Sequence, residues 1–385
     1  MKISKFFVII LSLTATSLAA QAIEIGKKDS IDSKILEEMR YLKIILPSTY
    51  EQYSKIKYPV VYILDGDFLL QSTSGIVEYM SKTGQIPEMI QVYISNTDRT
   101  RDFTPTRTNK NYEGEKDPSL EKSGGGKNFL DFLNNELIQY IDKNYRTNSF
   151  NILIGRSFAG LIGGFDYLQE KTELDSYLLI DPSFWWNEQN TVKLAENVLY
   201  KVIENKRLYI SSSDNFEFSN YIEKMRNSQV SFFEKIKNKN IDHTKIKIEI
   251  FEQCTHGTVT IPSLYNGLAF LFDDYFLTGM KYRSADEIIS HFDQFSESYG
   301  SEFVPLEGMI NWLASVQNEK DSSEALKLYE LNVYNYPKSI NALLTLAEQY
   351  EKRNMTEKAL ERYMDILKID GVNKKAMERI EQLKN

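Results

Sequence analysis

The chain has 385 residues, 46 basic and 54 acidic side chains and a net charge of −8. That length suits one large domain of roughly 250 residues plus a smaller one, and 42% hydrophobic with 26% charged residues is the composition of a globular chain with a full core. The acidic balance argues against nucleic-acid binding. A lone Cys254 excludes an internal disulfide and a cysteine-based zinc cluster, and His243, His256 and His291 are too scattered for a multi-histidine metal site, so no metal and no cofactor is expected.

The N-terminus places Lys2 and Lys5 before the apolar run FFVIILSL (6–13) and ends in AQA at Ala20 to Ala22. Basic, apolar, then small residues is the order of a secretory signal, too short to span a bilayer as a mature helix. Its removal as residues 1–22 takes away two lysines and no acid, leaving a net charge of −10. The expected address is periplasmic or secreted. No later run reaches the about 18 apolar residues of a membrane span.

Short β-rich runs follow: YLKIILP (41–47), YPVVYILDG (58–66), MIQVYIS (89–95), FNILIG (150–155), SYLLID (176–181), RLYISSS (207–213) and KIKIEIFEQ (245–253). Helical periodicity lies between several of them, as in 128–145, where Phe129, Phe132, Leu133, Leu137, Tyr140 and Ile141 share a face. Near-continuous apolar strands alternating with helices predict an α/β fold with a mostly parallel sheet covered on both faces. Residues 97–127 are polar and contain three consecutive glycines, which predicts a long surface loop at the edge of the site. Past about residue 280 only helices are predicted. Ser284 and Glu287 form a capping box, and Gly300 ends that helix. Ala325 and Ala359, and Tyr329 and Tyr363, then recur at a 34-residue period, which resembles the tetratricopeptide repeat. Two repeats are fewer than the three needed for independent stability, so the tail should pack on the helix at 284–299 or on the large domain. The expected division is signal 1–22, a large α/β domain 23–280, helical connector 281–305 and repeats 306–385.

The chemistry is expected in NILIGRSFAGLIGG (151–164). A buried strand, a Gly155-Arg156-Ser157 turn and a helix rich in small residues have the layout of a nucleophile elbow, with Ala159 where the usual pattern has glycine. A serine hydroxyl needs a base. In this architecture the partners follow as serine, acid, histidine, and His256, just past the strand 245–253, stands where the base belongs. Asp214 is the favoured acid because it follows the strand 207–213, with Glu217 and Asp181 as alternatives. The oxyanion hole calls for two backbone N–H groups: Phe158 after the nucleophile, and Gly66 or Asp67 after VVYILDG. Arg156, Arg99 and Arg101 are candidates to meet an anionic substrate. Trp185 and Trp186 are candidates for an aromatic wall or for core packing.

Together YPVVYILDGD (58–67), NTDRTRDFTPT (96–106), LIGRSFAGL (153–161), DPSFWWN (181–187) and THGTVTIPSLYNGLAFLF (255–272) resemble an esterase family of α/β-hydrolases. That family includes esterase D-like enzymes and the trilactone, enterochelin-type siderophore esterases. The resemblance spans about residues 30–280. It implies Ser157 as nucleophile, His256 as base and an oxyanion hole at Gly66, Asp67 and Phe158. Two departures stand out, Arg156 where the family has histidine and Ala159 where it has glycine. The leading expectation is an exported serine carboxylester hydrolase acting on a small-molecule ester. The alternative is a catalytically weak hydrolase-fold scaffold whose helical tail recruits a protein partner.

Overall fold

The computed structural model describes residues 24–384 except 170–171, 200–202, 215–218, 240–244, 277–278, 280–282 and 320. The signal expected at 1–22 and the alternative acid Glu217 therefore lie outside the described residues. Eight strands form one sheet: β1 Lys27–Ser33, β2 Glu38–Ile45, β3 Tyr58–Ile63, β4 Ile90–Ile94, β5 Thr147–Arg156, β6 Ser176–Ile180, β7 Arg207–Ser213 and β8 Lys245–Phe251. Their spatial order is β1-β2-β4-β3-β5-β6-β7-β8. Only β1–β2 and β2–β4 pair antiparallel, and every pair from β4 to β8 is parallel. This is the α/β architecture that the near-continuous apolar runs predict.

The two-residue period of a strand divides the core into two faces. Val61, Ile63, Ile152, Ile154, Leu178, Ile180 and Tyr209 point to one face. Their neighbours Val60, Tyr62, Leu64, Leu153, Tyr177, Leu179, Leu208 and Ile210 point to the other. Helices α1 (Gly66–Lys82) and α8 (Thr260–Leu271) cover the first face. The second is covered by α3 (Gly126–Phe132), α4 (Ile138–Asn144), α5 (Phe158–Tyr167), α6 (Trp186–Asn197) and α7 (Ser219–Lys237). A π-helical turn at Leu133–Leu137 joins α3 to α4.

The expected long loop is irregular but anchored. Its short helix α2 (Arg99–Asp102) brings Asp102 onto the fully buried Arg40 of β2, at 2.7 Å. Arg40 is also held by Glu38 and lies over the Phe129 and Phe132 rings. A buried guanidinium needs such paired carboxylates to offset its desolvation.

Beyond the sheet run α9 (Ala285–Tyr299), α10 (Glu307–Asn318), α11 (Ser322–Asn335), α12 (Ile340–Lys352), α13 (Thr356–Ile369) and α14 (Lys374–Lys384). The capping box of Ser284 and Glu287 is formed, and Gly300 closes α9 at φ 63°. The tail helices share one continuous core with the α1 and α8 face of the sheet. Phe150 of β5, Phe272, Tyr299 and Phe303 meet ring to ring at this junction.

Candidate active site

Four segments converge at the carboxyl ends of the central strands. At the first, β5 turns into α5 through Ser157, whose φ of 58° and ψ of −117° lie outside the ordinary regions for a side-chain-bearing residue. Local packing enforces this turn. A Cβ on Gly155 would stand 2.3 Å from the Ala159 carbonyl oxygen, and one on Gly160 would stand 2.9 Å from Pro182 Cβ. Only glycine lets strand and helix approach so closely. Ala159 itself is fully buried against the opposite face of the sheet, so its methyl fits where the usual pattern has glycine.

The second segment follows β6. Asp181 is fully buried at φ 44°, and its N–H donates to Ser211 O at 3.0 Å. Its carboxylate collects four contacts. Ser213 N–H (3.1 Å) and Gln229 Nε2 (2.9 Å) donate to Oδ1. Ser213 Oγ (2.6 Å) donates to Oδ2, and His256 Nδ1 lies 2.7 Å from the same oxygen. Burial pushes the Asp181 carboxyl up, but the His256 hydrogen bond and charge, with Ser213 and Gln229, outweigh it and hold the group below the usual range.

The third segment is the turn between β8 and α8 that carries His256. Arg156 pins it, donating from Nη2 to the His256 carbonyl at 2.5 Å while its guanidinium lies 5.6 Å from the Phe68 ring centre. The backbone N–H of Asp214 donates to Cys254 O at 3.0 Å, tying the same turn to the end of β7. The Asp214 side chain is engaged elsewhere, by Arg226. The acid favoured from the sequence is thus displaced. His256 rests on Asp181, because β6 ends beside the elbow and the left-handed turn at Asp181 aims its carboxylate across the end of β7.

The fourth segment opens α1. Asp65, left-handed at φ 53°, precedes Gly66 and Asp67, whose first-turn N–H groups have no intrahelical acceptor. A Cβ on Gly66 would stand 2.6 Å from Ile94 N, so glycine is required there too. Arg99 grips Asp65 bidentately at 2.7 and 2.8 Å and also donates to Arg156 O at 3.2 Å, linking this loop to the elbow. Asn96 Nδ2 adds a 2.6 Å bond to Asp65. Arg99 lies 5.5 Å from the centre of the Phe158 ring.

Two expected pocket residues turn out to be structural. Arg101 is committed to Glu38 and Asp102. Trp186 is fully buried and donates from Nε1 to Thr106 O at 3.0 Å. Trp185 is only half-buried and stands between the rings of Tyr112 of the long loop (6.0 Å) and Phe158 (6.1 Å), the residue that follows Ser157. Ser183, Ser213, Gln229 and Asp65 were not singled out from the sequence. Ser183 Oγ lies 3.3 Å from Ser157 Oγ, and only its place in DPS, directly after a strand, hints at this.

A buried acid against a histidine, at the strand ends that also carry a serine on a strained strand-to-helix turn, is the arrangement used by α/β-hydrolases of the serine type. The model of the family described as "Putative esterase" matches residues 33–242, and the chain belongs to that family and is an esterase. Among solved structures, an IroE-like serine hydrolase from Shewanella oneidensis is similar at 28% identity and a TM-score of 0.72, covering 80% of this chain and 99% of its own. An uncharacterised protein from Capnocytophaga ochracea matches at 18% identity and a TM-score of 0.62, over 93% of this chain and 99% of its own. The siderophore hydrolase EstA from Aspergillus nidulans has the same fold at 17% identity and a TM-score of 0.55, over 64% of this chain and 94% of its own. No curated protein matches the chain.

Proposed function

We propose that the chain is an exported serine carboxylester hydrolase in which Ser157, His256 and Asp181 form the catalytic triad. The observation that carries this reading is the 2.7 Å contact of His256 Nδ1 with the buried Asp181 carboxylate, directly after Ile180, whose carbonyl accepts from the Ser157 N–H at 3.0 Å. Asp181 holds the proton on Nδ1, which directs Nε2 to the role of base. Ser157 Oγ attacks the ester carbonyl, and His256 takes its proton and then returns it to the leaving alcohol. The N–H groups of Phe158 and of Gly66 or Asp67 take up the oxyanion. Water, activated by the same imidazole, then releases the acid from the acyl-enzyme. Trp185, Tyr112 and Phe158 form an apolar aromatic flank for the acyl or alcohol part of the substrate. The Arg99–Asp65 pair holds the oxyanion loop in register with the elbow, so Arg99 acts by positioning.

The segment order at the N-terminus supports export after cleavage at Ala22. The 34-residue offset between α11 and α13 supports a tetratricopeptide-like tail over 306–385, joined through 281–305 to the esterase domain of 23–280. The decisive experiment pairs a fluorophosphonate probe with p-nitrophenyl acetate turnover. Wild-type protein is expected to be labelled on Ser157, and folded Ser157→Ala to be unlabelled and inactive. Folded wild-type protein that neither labels nor turns over the ester would favour the scaffold alternative, with the tail as its partner surface.

A further inference from the structure

A cleft of about 580 Å³ lies where the esterase portion meets the tail, lined by residues that include Tyr53, Phe276, Trp312, Tyr336, Glu88 and Glu307. It is remote from Ser157. Tyr53 precedes β3, and the cleft also takes in Lys82 to Gly84 at the far end of α1, whereas the serine, acid and histidine sit past the carboxyl ends of the strands.

Two features of its lining point to one kind of ligand. The first is charge. Glu307 is only 8% exposed, and its Oε1 accepts from Ser339 Oγ at 2.8 Å and Asn341 Nδ2 at 2.9 Å. Glu88 accepts from Ser48 Oγ at 3.1 Å and from Thr49 Oγ1. All four donors are neutral, and among the described residues neither carboxylate forms an ion pair. Among the described lining residues the one cation, Lys82, is taken by Glu78 at 2.5 Å. Both negative fields reach the same spot: the Tyr336 hydroxyl is pushed well above its ordinary range by burial first, and then by charges that include Glu88 and Glu307. Carboxylates drawn out of water without a counter-charge are costly, and a bound cation offsets that cost.

The second feature is aromatic surface. Trp312 is 49% exposed and Phe276 44% exposed on the same cleft. Exposed ring faces attract organic cations as well as alkyl chains. Next to the cleft, and sharing Ser81, Lys82 and Glu88 with it, lies a second cavity of about 530 Å³ walled by Ile45, Leu46, Val77 and Met89 among others. Glu88 stands at the junction of the two. A cationic head between the carboxylates and rings can therefore extend an apolar chain into the aliphatic side.

We propose that this cleft binds an organic cation: a primary ammonium or guanidinium group carried on an aliphatic chain. The group is found on free diamines and on the basic side chains of peptides.

The test is titration calorimetry on the full chain, with Trp312 fluorescence as second readout. The probes are 1,5-diaminopentane, hexylamine, a short lysine-containing peptide and hexanol as neutral control. The amine probes should bind saturably and more weakly as salt rises, with hexanol about tenfold weaker or worse. Glu88→Gln and Glu307→Gln should each weaken the amines by about tenfold. Trp312→Phe should abolish the fluorescence response. Ester hydrolysis should not change in any of these variants. Tighter binding of the free diamine identifies a free amine as the ligand, and tighter binding of the peptide identifies a basic side chain; either supports the site. If Glu307→Gln fails to fold, Glu88→Gln carries the test alone. Absence of amine binding, equal binding of hexanol and hexylamine, or amine affinity unchanged in the glutamine variants would overturn the proposal.

Discussion

The contrast between Asp181 and Asp214 is the sharpest test at the scale of single residues. Both follow strands, yet only Asp181 touches His256, while Asp214 is held by Arg226. Asp181→Asn keeps the shape of the cradle but loses the charge that stabilises the imidazolium, so kcat on p-nitrophenyl acetate should fall on the order of 10³- to 10⁴-fold. Asp214→Asn should leave kcat within about twofold. The reverse pattern would return the acid role to Asp214. The tight turn at Ser157 and the strand-end place of His256 were legible in the sequence because an elbow and a histidine just past a strand are local signals. The contact of His256 with Asp181 was not, because it depends on a left-handed turn at Asp181 and on the ends of the neighbouring parallel strands β6 and β7, neither of which sequence spacing encodes. Arg156, readable as a substrate contact, instead spends a guanidinium hydrogen bond on the His256 carbonyl. Arg156→Ala should therefore lower kcat more than it raises KM, by loosening the turn that carries the base.

At the scale of elements, the elbow tolerates change very unevenly. Gly155→Ala would drive a methyl to 2.3 Å from a backbone oxygen, so it should cost at least about 3 kcal/mol and abolish activity. Ala159→Gly restores the common motif but removes a helix-favouring residue. It should cost about 1 kcal/mol with turnover nearly unchanged, as urea unfolding and ester assays would show. Most elements were readable because the central strands are buried on both faces and so appear as apolar runs. The exception is β1, KKDSIDS, whose charged side chains suit an exposed edge and resemble a loop in sequence. The helix at 128–145 was legible by period, but its π-helical turn at Leu133–Leu137 was not, since Leu133, Leu137, Tyr140 and Ile141 keep the three- and four-residue spacings of an ordinary helix across it. The α9 boundaries were readable because caps are local chemistry: Ser284 and Gly300 act through bonds to their near neighbours.

For the whole molecule, the shared core of tail and sheet sets how stability is distributed. Thermal unfolding should show one cooperative transition followed alike by far-ultraviolet circular dichroism and by loss of esterase activity. Two separated transitions would show that the tail melts independently. A pH response comes from the end of the sheet away from the serine. Burial, opposed by the Asn151 N–H and by Lys206, pushes the Asp175 carboxyl up from 3.8 to about 6. A carboxyl that binds its proton more tightly when folded stabilises the protein fully below the unfolded value, and that contribution is lost as pH rises through about 6. Asp175→Asn should remove this loss, flattening the stability profile between pH 4 and 6 and raising stability at pH 7 by roughly 1–3 kcal/mol.

The junction of Phe150, Phe272, Tyr299 and Phe303 also imposes an order in time. A chain is made from its N-terminus onward, and α9 to α12 are among the last segments to appear. Until they do, Phe150, Phe272 and Tyr275 lack much of the surface that buries them, so the nascent chain stays incompletely folded almost to the end of synthesis. Catalytic competence should therefore arrive late and abruptly. Ribosome-bound chains halted before residue 285 should remain protease-sensitive, even though every strand and the whole serine site have already been made.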